Sequence, residues 1–363
     1  MRRLWFLVLF IFSAFSVQAS NMTRDLMSDD VFQRLMPRQG PLIELFTSIV
    51  HSPPVSILRV QNKPISIAVL LFSEADTLAN EALLLSFKQR MRELNIDYRL
   101  DIYIDNLEGK GDVSPYLKIE KSAPDYIVMT KLGMVQRRFL ERFLYGNKTK
   151  VLLYDFSTPL IHWVDRPPLM YIGVDQRQAA KQLASYLDRQ LPKQAKMSAL
   201  VLPDNYLGHM RCDAFLDEIT QLGRTIYTID VVQDSREQAA ESTKALLAEV
   251  EVDFIFSCSA HISEGVIAAL EKVGDRRVQT NGWGLTQNGV RGLANPRIKA
   301  SVLFMKDYLS VALAEAIKLD LEGKNMPNLY VARSTLVPSE LDFDSLGLMA
   351  SQAYPYSVML WQK

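Results

Sequence analysis

The chain reads as an α/β protein built from two doubly wound parallel-sheet lobes, and three observations predict this. Apolar runs such as "ISIAVLLF" at 65–72 and "KVLLYDF" at 150–156 are continuous rather than alternating, which is the pattern of strands buried on both faces. Between them lie helical segments with one apolar face; the stretch 81–94 lines up Leu83, Leu84, Phe87 and Met91. The strand–helix alternation then runs a second time, and 363 residues are enough for two domains of about 150 residues each.

From the start of the chain, Arg2 and Arg3 precede an apolar run from Leu4 to Phe15 and the triplet Val17-Gln18-Ala19. That is the layout of a secretory signal peptide over 1–19, which predicts an exported, soluble, periplasmic product. Residues 20–63, punctuated by Pro37, Pro41, Pro53 and Pro54, are expected to form an irregular N-terminal extension over a domain surface. The first round of alternation has strands at 65–72, 98–104, 124–130 and 150–156, with helices at 81–94 and about 133–145. The second has strands at 169–175, 198–204, 225–232, 252–258 and 278–284, with helices at 176–190, about 210–222, 236–249 and 264–273. Asp175 is placed to cap the first of those helices. Ser259, His261, Asn281 and Trp283 all follow strand ends, where ligands gather in open α/β sheets, so a cleft between the lobes is the expected site.

Several function classes are excluded. The 41 basic and 41 acidic residues balance, which argues against a nucleic-acid surface. His51, His162, His209 and His261 are scattered and the two cysteines form no CxxC pair, so no metal site is expected. There is no GxSxG elbow; "GNKTK" at 146–150 lacks the spacing of a phosphate loop, and "GWGLTQNG" departs from the dinucleotide fingerprint after its first two glycines. No catalytic residue and no cofactor are expected, and a ligand-capturing protein is preferred to an enzyme. Cys212 and Cys258 are too few for a disulfide framework, and the sequence leaves open whether they pair. Asn21 and Asn147 head N-x-T triplets, which matter only in a source that glycosylates exported proteins.

The segments "RCDAF", "DFIFSCS", "NGWG" and "ALAEAIKLDLEGKNMP", in this order, resemble the LuxP-like periplasmic autoinducer-2 receptors, within the type I periplasmic sugar-binding-protein superfamily. The likeness runs from about 65 to 335 and is strongest over 252–330. It implies the periplasmic binding protein-like I fold, two lobes joined by a hinge of three crossovers. The N-terminal lobe would be 64–160 plus 303–327, the C-terminal lobe 161–302 plus 328–340, and 341–363 a C-terminal tail. It also implies a quorum-sensing, two-component signalling role, in which the receptor closes on a small polar ligand and reports to the periplasmic region of a membrane sensor histidine kinase. The alternative is a sugar-binding receptor of an ABC transporter, whose partner is a permease.

The family's pocket grips a borated, anionic ligand with two arginines. The first falls on Arg211, whose guanidinium suits an anion or vicinal hydroxyls; the second falls on Phe304, which removes a charge and five donors. Trp283 and Asn281 match the family pattern. Ala75, Thr77 and Asn80 stand where the family carries glutamine, serine and tryptophan; Asp155 replaces an asparagine and Ala260 a threonine. Arg211, Trp283 and Asn281 are thus expected from one lobe, and Thr77, Asn80, Thr130 and Asp155 from the other. With Asp155 and Glu74 added and the second arginine lost, the expected preference moves from a borate diester towards a neutral polyol or a cation.

Overall fold

The computed structural model describes residues 25–72, 75, 77–105, 112–146, 148–274 and 277–362. The expected signal peptide, Glu74, Asn21 and Asn147 lie outside the described residues. Among the described residues no helix is long and apolar enough to cross a membrane.

Two six-stranded sheets form two lobes. The first contains β1 (Ile65–Phe72), β2 (Tyr98–Asp105), β3 (Tyr126–Met129), β4 (Lys150–Tyr154), β5 (Met170–Val174) and a late strand, β11 (Leu329–Ala332), in the order β11-β5-β4-β3-β1-β2. The second contains β6 (Met197–Val201), β7 (Ile226–Val231), β8 (Phe254–Ser257), β9 (Gln279–Trp283), β10 (Ile298–Phe304) and β12 (Ser334–Pro338), in the order β12-β10-β9-β8-β6-β7. All pairings are parallel except β10 with β12. The continuous apolar strands behave as their pattern predicts: Ile67, Val69, Leu70 and Leu71 of β1 and Phe254, Ile255 and Phe256 of β8 are buried.

The helices that cover the first sheet include α3 (Leu78–Glu93), α4 (Ser114–Ser122) and α5 (Met134–Leu144), preceded in the chain by α1 (Asp29–Leu35) and α2 (Gln39–Val50). The second sheet carries α6 (Gln176–Gln190), α7 (Ala214–Gln221), α8 (Arg236–Glu249), α9 (Ala260–Val273) and α10 (Gly289–Leu293). α11 (Asp307–Leu321) returns to pack on α3, and α12 (Phe343–Ala353) closes the chain. Caps set several of these boundaries: Asp175 accepts from the Gln178 amide as expected, and Ser259 accepts from the Ile262 amide. That second cap starts α9 at Ala260, four residues before the expected 264, so His261 lies in a helical first turn rather than a loop.

The chain passes between the lobes three times: at 175, between β10 and α11, and at Arg333 between β11 and β12. This moves two expected boundaries. The expected break at 160/161 falls inside the first lobe, because β5 pairs with β4. The stretch 155–169 lacks a long helix and so reads like a linker, yet Phe156, Leu160 and Trp163 pack into the first lobe's core. Gly173 makes the return possible: a Cβ there would stand 2.6 Å from the Ser157 amide nitrogen and 2.7 Å from the Phe156 carbonyl carbon. The expected final strand splits at Arg333, giving 329–332 to the first sheet and 334–338 to the second. The expected extension and tail are both more ordered than their composition suggests. The tail buries Leu346, Ala350, Tyr354 and Trp361 against Val290 and Leu303 of the second lobe and Ala82 of the first.

Candidate functional site

The carboxyl ends of β1, β3 and β4 face those of β6, β7 and β8 across a cleft of about 610 Å³. The first lobe lines it with Phe72, Thr130, Lys131, Asp155 and Phe156; the second contributes Tyr206, Gln233, Asp234 and His261. This is the convergence that doubly wound sheets create at their strand ends.

Asp155 follows β4 with a left-handed backbone, φ +61°, a conformation that aspartate tolerates better than most residues. Its Oδ2 accepts from the Lys306 ammonium at 2.5 Å, joining a cleft residue to a crossover, while its buried Oδ1 has no hydrogen-bond partner among the described residues. Lys131 lies over the Phe72 ring, 3.5 Å from its centroid. Across the cleft, Tyr206 stacks on Phe156 at 4.1 Å and its hydroxyl meets the Ser157 amide, the Ser157 hydroxyl and the Thr158 hydroxyl within 3.3 Å. Tyr206 therefore ties the second lobe to the first, and burial pushes its phenol above the usual range.

On the second lobe, Asp234 Oδ1 accepts from Ser259 Oγ at 2.5 Å and from His261 Nδ1 at 3.2 Å. The Asp234 hydrogen bond raises the His261 imidazole above its ordinary value against the pull of burial. Burial works to raise the Asp234 carboxyl, but the bonds from His261 and Ser259 outweigh it and hold it low.

Deeper in the second lobe, Arg211 sits in a π-helical turn, Gly208–Asp213, at the start of α7. Its Nε and Nη2 donate to Gln176 Oε1 at 3.1 and 2.7 Å, and its Nη1 donates to the Cys258 carbonyl at 3.0 Å. The guanidinium lies 4.2 Å from the Trp283 ring centroid and 5.4 Å from that of Phe304, and the two rings are parallel to within 6°. Burial lowers its pKa to about 10, opposed by the charges of Asp155 and Asp234. Among the described residues no carboxylate forms an ion pair with it. A buried cation held only by neutral acceptors and aromatic faces keeps donors for an incoming polar group.

The residues singled out in the sequence separate by what their side chains touch. Arg211, Trp283 and Phe304 form one cluster, and Thr130 and Asp155 line the cleft. Ala75 and Ala260 are partly buried and pack against the core. Polar groups of several of these residues, and of the remainder, are committed to the backbone. Asn281 is fully buried; its Oδ1 accepts from the Ser257 amide and its Nδ2 donates to the Ser257 carbonyl, each at 2.9 Å, so it braces β8 instead of facing a ligand. The Trp283 indole N–H donates to that same carbonyl at 2.6 Å, and its buried ring packs under the Arg211 guanidinium. Thr77 caps α3, Asn80 donates to the Phe72 carbonyl, and the Thr130 hydroxyl bridges β1 through the Phe72 amide and the Leu70 carbonyl. Sequence reasoning missed Gln233 and Asp234, although they follow β7 as Ser259 follows β8, which was the available signal.

Residues 147–325 match the family model described as periplasmic binding protein domain. The fold is that of a type I periplasmic binding protein. An ABC transporter solute binding protein from Bacillus halodurans with bound myo-inositol is 13% identical, with a TM-score of 0.66 over 79% of this chain and 98% of its own. The fructose binding periplasmic domain of a hybrid two-component system is 14% identical, with a TM-score of 0.68 over 82% of this chain and 97% of that one. A myo-inositol binding protein from Caulobacter is 14% identical, with a TM-score of 0.65 over 78% and 96%. At these identities the likeness is one of fold. The matched family is one of binding domains, and among the described residues no group of three or more His, Cys, Asp or Glu is arranged to hold a metal ion.

Proposed function

We propose that this chain is an exported receptor, not an enzyme, that closes on a small polar sugar or polyol. The observation that carries the reading is the cleft itself: two parallel sheets present their carboxyl ends to one opening, with Arg211 held behind it among neutral acceptors. Fold relatives that bind myo-inositol and fructose support this reading better than the autoinducer-2 one. Asp155 and Asp234 in the cleft lining, with Phe304 beside Arg211 where the family resemblance implies a second arginine, also support polyols over a borate diester.

The partner is an ABC permease on the first reading, as for the solute binding protein from Bacillus halodurans. A membrane sensor histidine kinase is the second, favoured by the relative that forms the periplasmic domain of a hybrid two-component system. A permease gene or a kinase gene beside this one separates them.

Isothermal titration with myo-inositol, D-fructose and D-allose, and with autoinducer-2 with and without borate, tests the ligand class. Micromolar or tighter binding of at least one sugar or polyol is the expected result. Tight, borate-dependent binding of autoinducer-2 alone would overturn it. Mass spectrometry of molecules released from gently purified protein identifies the natural ligand directly.

A further inference from the structure

We propose that the Cys212–Cys258 disulfide is a positioning element of the binding site, which holds Arg211 in the orientation that meets the ligand. The inference rests on the sugar-receptor reading above. The bond joins residues 46 apart in sequence, with Cα atoms 5.4 Å apart, and links the π-helical turn Gly208–Asp213 to the end of β8. One half-cystine adjoins the residue that carries the guanidinium, and the other supplies an atom that holds it. Cys212 follows Arg211 in the chain, and the carbonyl of Cys258 is the acceptor for Arg211 Nη1. Cys258 also precedes Ser259, which caps α9 and donates to Asp234 at the cleft wall. The sulfur of Cys212 accepts from the Leu202 amide at 3.3 Å, which ties the same turn to the end of β6.

The physical need for such a link follows from the company Arg211 keeps. A single π-helical turn replaces the i→i+4 bonds of an α-helix with i→i+5 ones, so the regular α-helical ladder is interrupted where Arg211 sits. Arg211 also lacks a carboxylate partner among the described residues; its direction comes from Gln176 Oε1, one carbonyl and two aromatic faces. The disulfide places the turn that carries the donor and the residue that supplies the acceptor in one covalent frame. A bond acting only through loop closure would stabilise the whole chain and be indifferent to the residue at position 211.

That difference is the test. Cys212→Ser with Cys258→Ala removes the bond and keeps an acceptor for the Leu202 amide. Its affinity for D-fructose and for myo-inositol, measured well below its melting temperature, is compared with that of the parent in two backgrounds, wild type and Arg211→Lys. The expected result is a loss of about tenfold in the wild-type background and of less than about twofold in the Arg211→Lys background, the signature of coupled residues. Equal losses in both backgrounds, or a lower melting temperature with unchanged affinity, would reduce the bond to a staple. A readout that needs no ligand is the ¹⁵N-arginine Nε–H resonance assigned to Arg211 by its disappearance in Arg211→Lys. Its hydrogen exchange is expected to quicken about tenfold without the bond while circular dichroism is unchanged. If neither sugar binds the wild type, the sugar-receptor reading falls and this resonance decides the positioning role, an unchanged exchange rate overturning it. Should the first variant not fold, Cys212→Val with Cys258→Ala, which refills more of the vacated volume, carries the same comparison.

Discussion

The two walls of the cleft use their strand ends differently. On the first lobe, Thr77, Asn80 and Thr130 turn their polar groups back onto α3 and β1, and the wall is lined by Phe72 under the Lys131 ammonium, Phe156 stacked on Tyr206, and Asp155 paired with Lys306. On the second lobe, Asp234, Ser259 and His261 form a charged cluster at the wall, and Arg211 stands behind it with donors in reserve. A residue just past a strand therefore has two possible uses. It can terminate the local backbone, or it can face the ligand, and a side chain that has spent its hydrogen bonds on the backbone has little left for recognition.

The largest expected effect separates those uses most cleanly. Arg211→Ala should cost about 2–5 kcal/mol of ligand affinity, because it removes a charged donor from a desolvated site. Its thermal stability should fall by much less, since the truncation also relieves the burial of a cation that has no ion pair among the described residues. Calorimetry on the variant checks both, and a melting temperature that falls in step with affinity would assign Arg211 to the core.

Asn281→Ala should do the reverse. Losing the amide takes the acceptor from the Ser257 N–H, while the Ser257 carbonyl keeps the Trp283 indole, and costs about 1–3 kcal/mol of stability, with the dissociation constant of the folded protein unchanged. Denaturant unfolding alongside titration measures this, and a selective loss of affinity would return Asn281 to the ligand site.

A smaller effect is expected at the first wall. Asp155→Asn keeps a residue suited to φ +61° and removes only the charge that meets Lys306, so it should change stability by about 1 kcal/mol or less. Asp155→Ala should lose about 1 kcal/mol more, from backbone strain. If the two variants behave alike in unfolding experiments, the left-handed backbone is not what selects this residue.

The smallest concerns pH. The folded His261 is raised above its ordinary 6.5, so its contribution is fully present below about 6.5 and is lost as pH rises through the higher folded value. Asp234 is held below its ordinary 3.8, so its contribution is present above that value and is lost as pH falls through the lower folded one. Because the His261 side chain is 62% exposed, the pair should be worth only a few tenths of a kcal/mol. His261→Ala should remove the decline in stability just above pH 6.5, and a melting-temperature profile unaltered by the substitution would show the pair to be inert.

Much of the fold was legible because its signals are local. The eight-residue run of β1 and the apolar face of α3 declare themselves by periodicity, and Asp175 declares the start of α6 by its chemistry. The lobe boundary was not legible. Nothing near residue 160 says that β5 pairs with β4 instead of opening the next sheet, because that pairing depends on Phe156, Leu160 and Trp163 packing onto strands far away in sequence. The site was half legible for the same reason. Arg211 and Asp155 were marked only through the family resemblance, and the direction in which Asn281 turns its amide had no local signal.

By itself the sequence determined that the chain makes buried parallel strands with helices between them, that this happens twice, and that Asp155, Ser259 and Trp283 stand at strand ends. These follow from side-chain period and from residue chemistry, which act over a few residues at a time. Tertiary structure alone decided that Cys212 and Cys258 pair, that Asp234 joins Ser259 and His261, and that Asn281 turns its amide inward. Each of those outcomes depends on distances between strands that are adjacent in space and remote in the chain, and no local property of the residues encodes such a distance.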